Sequence, residues 1–587
     1  MRKRIAVIDR EKCKPDKCDK PCIRFCPRVR TGDETVFEKS GKVYIAEELC
    51  VGCGICVKKC PKNAITIINL EHELDEPIHQ YGKNAFRLYG LPIPEKGKVV
   101  GLLGANGIGK TTALQILSGN LKPNLGKFDL KNGAEWDDII GRFKGSTLMK
   151  YLKDLRDGKI KAVYKPQQVD KIPHAVKGKV TDVIKDERGI FTELAKKLEI
   201  DSILSRNVSE LSGGELQRVA IAAALCKEAD FYYFDEPSSF LDVRHRIIVA
   251  RAIREIAQTK SIIVVEHDLA TLDILADAIH LVFGHAGVYG VISAPYHSLR
   301  GINAYLDGFI KEENIRFRQE ALDFKAGSQI FKGNYSVVEY PEFIKKFKDS
   351  EFSLKVDSGS LMAGEIVGVF GANALGKTTF AKILAGEIKP DNTDFKEAVR
   401  IAYKPQYLKS DFVGSVNELL SQSVKNYLSQ EFKMEILRPL ELEGLLENCV
   451  ASLSGGELQR VAIAICLGQS VDFYLLDEPS AYLDVEQRVL FSKMMRKFIE
   501  SNQKTAMIID HDMLLLHYIS DRSIVFFGKP ASEGHAKEPK ALKEGMNEFL
   551  KDLNITFRRE MDTGRPRANK PESQKDAKQK EKGVYYE

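Results

Sequence analysis

The sequence predicts a multidomain α/β protein: two copies of one α/β unit in tandem, behind a small cysteine-rich α+β domain. Three observations carry that reading. A chain of 587 residues exceeds what one hydrophobic core holds. A glycine-rich segment, Gly104 to Thr112, recurs as Gly371 to Thr379. Eight of the 11 cysteines fall within the first sixty residues.

The composition is that of a globular protein, 43% hydrophobic and 29% charged. No run approaches the roughly eighteen uncharged apolar residues that a membrane span needs. The chain opens Met1-Arg2-Lys3-Arg4 instead of with an apolar leader, so a cytoplasmic protein with no membrane association is expected. Its net charge of +6 is unevenly spread: residues 1–70 hold 16 Lys+Arg against 9 Asp+Glu, and residues 563–587 hold 7 against 4. Basic ends fit an anionic macromolecular partner, although a charge run is also what any solvated face looks like.

Cys50, Cys53, Cys56 and Cys60, followed by Pro61, have the Cys-x2-Cys-x2-Cys-x3-Cys-Pro spacing of bacterial ferredoxins. In that pattern three thiolates wrap one face of an iron–sulfur cube and the fourth crosses to a second cluster. Cys13, Cys18, Cys22 and Cys26, ending on Pro27, keep the ligand count with looser spacing. The crossing rule assigns one [4Fe–4S] cluster to Cys26, Cys50, Cys53 and Cys56, and another to Cys13, Cys18, Cys22 and Cys60. Paired zinc sites and a disulfide framework are the competing readings. Zinc favours close cysteine pairs, and a reducing compartment disfavours disulfides. Cys226, Cys449 and Cys466 sit among apolar neighbours and read as packing residues.

The repeated segments, Gly104-Ala-Asn106-Gly107-Ile-Gly109-Lys110-Thr111-Thr112 and Gly371-Ala-Asn373-Ala-Leu-Gly376-Lys377-Thr378-Thr379, both match G-x-x-x-x-G-K-[ST]. Each follows an apolar strand-like run and precedes a helical pattern, which is the context of a phosphate-binding loop. Glycines let backbone N–H groups approach the phosphates, Lys110 and Lys377 reach the β and γ oxygens, and Thr111 and Thr378 are placed to ligand Mg²⁺. Downstream, Phe231 to Glu236 and Phe473 to Glu478 are buried-strand runs ending in two carboxylates. Asp235 and Asp477 are expected to hold Mg²⁺, and Glu236 and Glu478 to polarise the attacking water.

Leu211-Ser212-Gly213-Gly214-Glu215 recurs as Leu453-Ser454-Gly455-Gly456-Glu457, 24 positions before each strand-end Asp. Taken alone, each is a Ser-capped helix start fit for an anion. Together with the loops upstream it resembles the signature of ABC ATPases, in which two domains sandwich two ATP molecules head to tail. The other marks are Gln167 and Gln406 in twin Tyr-Lys-Pro-Gln sequences, the loops Ser239 to Asp242 and Ala481 to Asp484, and the switch histidines His267 and His511. The resemblance implies one site made from Lys110, Thr111, Gln167, Asp235, Glu236 and His267 with Ser454, Gly455 and Gly456. The other takes Lys377, Thr378, Gln406, Asp477, Glu478 and His511 with Ser212, Gly213 and Gly214. Gln167 and Gln406 would join the Mg²⁺ ligands, and Tyr81 and Phe347 would stack the adenines.

From the first P-loop glycine to the glutamine is 63 positions in the first repeat and 35 in the second. The surplus, about 131–158, reads as a helix-loop-helix insert with Leu148, Tyr151, Leu152 and Leu155 inward and Arg142, Lys144, Lys150 and Lys153 outward. Gly301 to Leu306 with Asn314 to Arg318 answers Gly545 to Leu550 with Asn554 to Arg558, each 34 positions after its switch histidine, and the pair reads as two hinges. The expected division is a cysteine domain 1–72, nucleotide-binding domains 73–300 and 326–540, hinges 301–325 and 541–562, and a disordered basic tail 563–587.

A ferredoxin-like iron–sulfur domain ahead of two ABC-type P-loop domains, with no membrane segment, resembles ABC subfamily E, the RNase L inhibitor family of ribosome-recycling ATPases, in its archaeal type. That resemblance implies two [4Fe–4S] clusters, two Mg-ATP and a monomer whose domains pair intramolecularly. It implies ATP-driven splitting of ribosomes into subunits after termination or rescue, by a closure that moves the iron–sulfur domain. The partners implied are ribosomal subunits and rRNA, a release factor or Pelota-like factor in the A site, and initiation factors if the protein stays on the small subunit. Three rival classes fit less well. A detached transporter or iron–sulfur-assembly ATPase gives no reason for integral clusters, a DNA-repair ATPase would carry a coiled-coil or zinc insert, and a redox enzyme would need an electron-acceptor motif.

Overall fold

The computed structural model describes residues 4–10, 12–69, 74, 76–129, 133–322, 335–347, 352–393, 400–406, 412–560, 564–569 and 573–587. The chain forms two compact units, one of Met1–Pro237, Arg251–His267 and Leu275–Ala321, the other of Ser238–Ala250, Asp268–Ile274 and Leu322–Glu587. The second unit thus takes in two short segments of the first repeat. The expected domain boundaries at 72, 325 and 562, and the first two residues of the insert, lie outside the described residues.

In the first unit the cysteine-rich segment rests on two antiparallel pairs, Arg4–Ile8 with Ile65–Asn69 and Val36–Lys39 with Lys42–Ile45. Short helices Pro21–Arg24, Pro27–Arg30 and Ile55–Lys59 carry or flank the cysteines. Pro27 opens its helix at the first position, where a missing N–H costs nothing. Behind it runs an eight-stranded sheet in the order His79–Gln80, Arg87–Tyr89, Tyr289–His297, Ala278–His285, Val99–Leu103, Ser261–Val265, Phe231–Asp235, Ala162–Lys165. The last five strands are parallel, and Val99–Leu103 among them is buried throughout, as a strand covered on both faces must be. The second unit repeats that order as Phe343–Lys346, Ser353–Val356, Glu533–Ala536, Arg522–Lys529, Ile366–Phe370, Thr505–Ile509, Phe473–Asp477, Ile401–Lys404. Both P-loop strands therefore lie inside their sheets, with the carboxylate-bearing strand two places away.

Helices Trp136–Arg142 and Thr147–Arg156 occupy the insert. Leu148, Tyr151 and Leu152 are buried in the first unit's core, while Lys150 and Lys153 are exposed. The Tyr151 hydroxyl lies 2.5 Å from both the Leu117 carbonyl, at the end of the P-loop helix, and the Tyr233 hydroxyl, on the carboxylate strand. The expected hinges are helices Ser298–Asp307 and Leu542–Asp552, each laid on a strand of its own sheet through a glycine. A Cβ at Gly301 would stand 3.1 Å from Ile279 Cβ, and one at Gly545 would stand 2.0 Å from Ser523 Oγ.

The tail corrects the expectation of disorder. Pro566–Ala568 pairs with Phe557–Arg559, and Gln574–Glu581 is a helix capped by Ser573. Arg565 is fully buried, its guanidinium 2.7 Å from Asp273 Oδ2. The Asp576 carboxylate accepts from Thr556, and Tyr586 packs on His517. Composition misleads here because these polar residues are paired, which makes their burial affordable.

Candidate functional site

Each P-loop is a sharp turn from a buried strand into helix Lys110–Leu117 or Lys377–Leu384, entered through Gly109 at φ 94° and Gly376 at φ 90°. At Gly109 a Cβ would also stand 2.7 Å from Phe86 Cζ, so the backbone angle and the packing both require glycine. Hairpin turns farther along the chain pin the loop tips: Gly287 N–H donates to Gly107 O at 2.9 Å, and Ala531 N–H to Ala374 O at 3.0 Å. Where the first repeat has Gly107 at φ 73°, the second holds Ala374 at φ 58°, a strained angle for a residue with a Cβ. Asn373 N–H donates to Asp242 Oδ2 at 2.7 Å within the second unit.

The predicted residues of each half come together. Lys110 Nζ bonds back to the carbonyls of Gly104 and Ala105, and Lys377 Nζ to those of Gly371 and Ala372. Thr111 Oγ1 donates to Asp235 Oδ2 and Thr378 Oγ1 to Asp477 Oδ2, both at 2.8 Å. Gln167 Nε2 donates to Glu236 Oε1 and Gln406 Nε2 to Glu478 Oε1, both at 2.7 Å. The switch histidines stand over the same oxygens, His267 Nε2 at 3.6 Å and His511 Nε2 at 3.4 Å.

Burial raises the pKa of Asp235, and pushes that of Asp477 up to about 6. Burial works on Glu478 in the same sense, but His511 and then Gln406 outweigh it and hold that carboxyl at about 2. Asp477 Oδ1 is buried with no partner among the described residues. A carboxylate with an open lone pair beside a threonine hydroxyl fits a hard cation, which would restore the ionised form.

The signature segments start helices Gly213–Leu225 and Gly455–Leu467. Ser212 and Glu215 form a reciprocal capping box, as do Ser454 and Glu457. The two glutamates are thus engaged in setting the helix start, which leaves the glycine N–H groups to face a ligand. Gly456 packs so closely on the loop Ala481 to Asp484 that a Cβ would stand 2.9 Å from Tyr482 O.

Tyr81 is half exposed, its hydroxyl 3.1 Å from Thr112 Oγ1, and its ring lies 6.5 Å from Phe86. Phe347 lies 6.3 Å from Phe352, the ring that abuts Gly376 as Phe86 abuts Gly109. Each aromatic thus neighbours the phenylalanine that abuts its P-loop glycine. Thr379 is half buried next to Thr378.

All eight N-terminal cysteines are free of disulfides, and Cys22, Cys26, Cys50 and Cys56 are buried in one cluster with Cys13 and Cys60 against it. Burial first, then the neighbouring thiols Cys50, Cys53 and Cys26, push Cys56 up to about 12. Cys22 rises to about 11 through burial, with Cys60, Cys13 and Cys18 as its thiol neighbours. Gly52 N–H points at Cys50 Sγ (3.4 Å) and Ala64 N–H at Cys60 Sγ (3.3 Å), donors of the kind that stabilise cluster-bound sulfur. Thiols as buried as Cys22 and Cys56 resist ionisation unless a strong positive centre lies beside them, and iron–sulfur binding fits that chemistry.

Sequence reasoning missed the residues that brace the site from behind. The Tyr164 hydroxyl donates to Asp235 Oδ2 at 3.1 Å, and Lys165 and Lys404 lie buried under the carboxylate strands. Gln217 and Gln459 reach the same strand ends from the signature helices. The signal was present: Tyr-Lys-Pro-Gln and Glu-Leu-Gln-Arg each occur in both repeats.

Comparison with known proteins agrees with this geometry. Residues 94–239 and 354–481 match the ABC transporter family, 4–34 a possible Fer4-like domain in RNase L inhibitor, and 43–66 a 4Fe-4S binding domain. An uncharacterized ABC transporter ATP-binding protein of Methanocaldococcus jannaschii is 50% identical over 99% of this chain and 97% of its own. Translation initiation factor RLI1 of Saccharomyces cerevisiae is 45% identical over 99% of this chain and 98% of its own. A structure of ribosome-bound archaeal Pelota and ABCE1 superposes at TM-score 0.94 with 50% identity, covering 100% of this chain and 99% of that one. A crystal structure of archaeal stalk protein aP1 with ribosome recycling factor aABCE1 gives 0.82 and 50%, covering 87% and 99%.

Proposed function

Because the chain belongs to the RNase L inhibitor family of ABC ATPases, subfamily E, we propose that it is an ATP-driven factor that splits ribosomes into subunits after termination or rescue. It is an ATP hydrolase with iron–sulfur binding modules. The observation that supports the reading is that the expected residues of each repeat come together in one chain whose cysteine domain is bonded to the loop that carries Tyr81. Asn84, three residues after Tyr81, bonds through its side chain to the backbone of Ala6 and Ile45, and through its own carbonyl to Ile8 N–H.

ATP would be seated by Tyr81 or Phe347 at the adenine and by the P-loop N–H groups, Asn106 or Asn373 among them, at the phosphates. Lys110 or Lys377 would exchange its loop carbonyls for the β and γ oxygens. Mg²⁺, held by Thr111, Gln167 and Asp235 or by Thr378, Gln406 and Asp477, would neutralise phosphate charge. Glu236 and Glu478, aimed by Gln and His at one oxygen each, would orient the attacking water. Each ATP would be completed by the signature loop of the opposite repeat, so that binding favours closure and loss of the γ-phosphate releases it.

Cys13, Cys18, Cys22 and Cys60, with Cys26, Cys50, Cys53 and Cys56, would hold two [4Fe–4S] clusters that stiffen the cysteine domain into an arm. The proposed setting is the cytoplasm, with the chain acting as a monomer; among the described residues no helix is long and apolar enough to cross a membrane. Ribosomal subunits and rRNA are the proposed load, with a release factor or Pelota-like protein in the A site and continued residence on the small subunit into initiation.

Sedimentation of stalled or terminated ribosomes with this protein, ATP and a Pelota-like or release factor tests the reading. Separated subunits that require both ATP and the factor are expected. Intact particles under every combination, with ATP hydrolysis intact, would overturn it.

A further inference from the structure

We propose that Lys165 and Lys404, together with Gln217 and Gln459, are positioning residues for hydrolysis: each pair clamps the backbone of one catalytic glutamate so that its carboxylate stays aimed at the attacking water.

Glu236 and Glu478 sit at φ 47° and 48°, in the left-handed region that residues with a Cβ enter only under constraint. The same turn lets two successive carbonyls converge on one side of the chain, whereas in a continuing strand they would alternate. Lys165 Nζ occupies that point of convergence, 3.0 Å from Asp235 O and 3.3 Å from Glu236 O. In the second repeat Lys404 Nζ stands 2.7 Å from Asp477 O and 3.3 Å from Glu478 O. From the signature helices Gln217 Nε2 donates to Glu236 O at 2.7 Å, and Gln459 Nε2 to Glu478 O at 2.6 Å. The glutamate carbonyl is thus gripped twice in each half, by the same residue types at matching distances.

Both lysines are all but fully buried, at 2% and 1% exposure, where an apolar chain of the same length would fill the volume without a charge to desolvate. Their hydrogen bonds go to the backbone carbonyls of the two carboxylate residues at each strand end. A cationic donor also holds carbonyls about twice as tightly as a neutral one, and it offsets two adjacent carboxylates. Lys165 ends its strand, and Gln167 follows two residues later in the bend beyond Pro166. One grips the backbone of Glu236 and the other its carboxylate; Lys404 and Gln406 repeat the arrangement on Glu478. The two amide contacts and the ammonium together hold each glutamate at both its backbone carbonyl and its carboxylate.

The inference rests on ATP hydrolysis by these sites, so the wild-type protein is measured alongside the variants; inactive wild type would count against the sites themselves, not the clamp. The full chain is assayed for steady-state ATP hydrolysis, nucleotide affinity and thermal unfolding as wild type, Lys165→Met, Lys404→Met, and the two Lys→Gln variants. Misplacing a reacting group by about an ångström costs up to roughly 100-fold in rate. The Met variants are therefore expected to lose ~10- to 100-fold in kcat, with KM and ATP affinity within about twofold of wild type, and Gln, which keeps a donor, to recover part of the loss. Should a Met variant fail to fold, Gln217→Leu and Gln459→Leu release the same carbonyl from the other side and are expected to give the same split. Unchanged kcat, or a loss that follows ATP affinity and unfolding temperature together, would overturn the proposal.

Discussion

At the scale of single residues, the two catalytic sets share their chemistry and differ in what stands behind the aspartate. In the first, the Tyr164 hydroxyl donates to Asp235 Oδ2; in the second, the hydroxyl of the equivalent Tyr403 is buried without a partner among the described residues. A satisfied buried hydroxyl stabilises by about 1 kcal/mol, whereas an unsatisfied one is a net cost. Tyr164→Phe should therefore lower the unfolding free energy by about 1 kcal/mol, and Tyr403→Phe should leave it unchanged or raise it slightly. Denaturant titration of the two variants checks this, and equal losses would mean that Tyr403 is satisfied after all. The catalytic glutamates make a second residue-scale prediction. Glu236→Gln and Glu478→Gln keep the side-chain shape and remove the charge, so nucleotide binding should persist while hydrolysis at the altered site falls ~100-fold or more. Single-turnover hydrolysis against nucleotide retention separates the two; retained turnover in the double variant would move the base elsewhere.

At the scale of elements, what the sequence announced and what it concealed follow from one distinction. The P-loops, the strand-end carboxylates and the signature helices were readable because phosphate chemistry demands particular residue types at short fixed spacings. Phe347 was readable only through the family resemblance, as an aromatic upstream of its P-loop like Tyr81. The C-terminal segment was misread because its order comes from partners far along the chain: Asp273 for Arg565, His517 for Tyr586, Asn547 for the backbone of Tyr585 and Tyr586. No window of composition contains those pairs. The Lys165 and Tyr151 contacts were hidden for the same reason, since each depends on which strand packs beside its own strand or helix. The tail's packing carries a pH signature. Burial first, then the charge of Arg559, push the His517 pKa down to about 4 from 6.5, so the ring is neutral in the folded protein. Between pH 6.5 and about 4 the unfolded chain binds a proton that the folded one refuses, so stability falls as pH drops through that window and is insensitive to this group above it. Hydrogen exchange of residues 573–587 should accelerate as pH falls from 6.5 toward 4, after correction for intrinsic rates, and His517→Gln should remove that dependence. A wild-type profile flat across the window would show that Tyr586 does not need the neutral ring.

At the scale of the whole molecule, ATP hydrolysis is useful only if the cysteine domain feels the nucleotide. Within the first unit the connection is short and polar. Asn84 adopts φ 54°, a left-handed angle that asparagine tolerates better than most residues, and spends its amide on three backbone groups of the cysteine domain at 2.9 to 3.1 Å. Three residues on, Arg87 holds Glu47 with two contacts of 2.8 and 2.9 Å, and Glu47 in turn accepts from Ala6 N–H. Glu47 lies three positions before Cys50, so the strut runs from the loop that carries Tyr81 to the start of the second cysteine run. An apolar seam of Ile5, Val7, Tyr89 and Val288 backs it. Apolar contacts of this kind tolerate small slides, whereas an amide with three fixed partners does not. The seam therefore supplies adhesion, and Asn84 and Arg87 supply register. Asn84→Ala should keep the cysteine domain attached and both ATP sites intact, yet let the domain drift against the loop that carries Tyr81. ATP hydrolysis by the isolated protein should stay within about twofold of wild type, because no group of either site is altered, while ATP-dependent ribosome splitting falls at least tenfold. Glu47→Gln, which weakens the strut without deleting it, should fall between the two. Parallel assays of hydrolysis and of subunit separation by sedimentation decide the matter: a variant that hydrolyses and splits normally would place the coupling in the apolar seam, and one that loses both together would make Asn84 a residue of the fold alone.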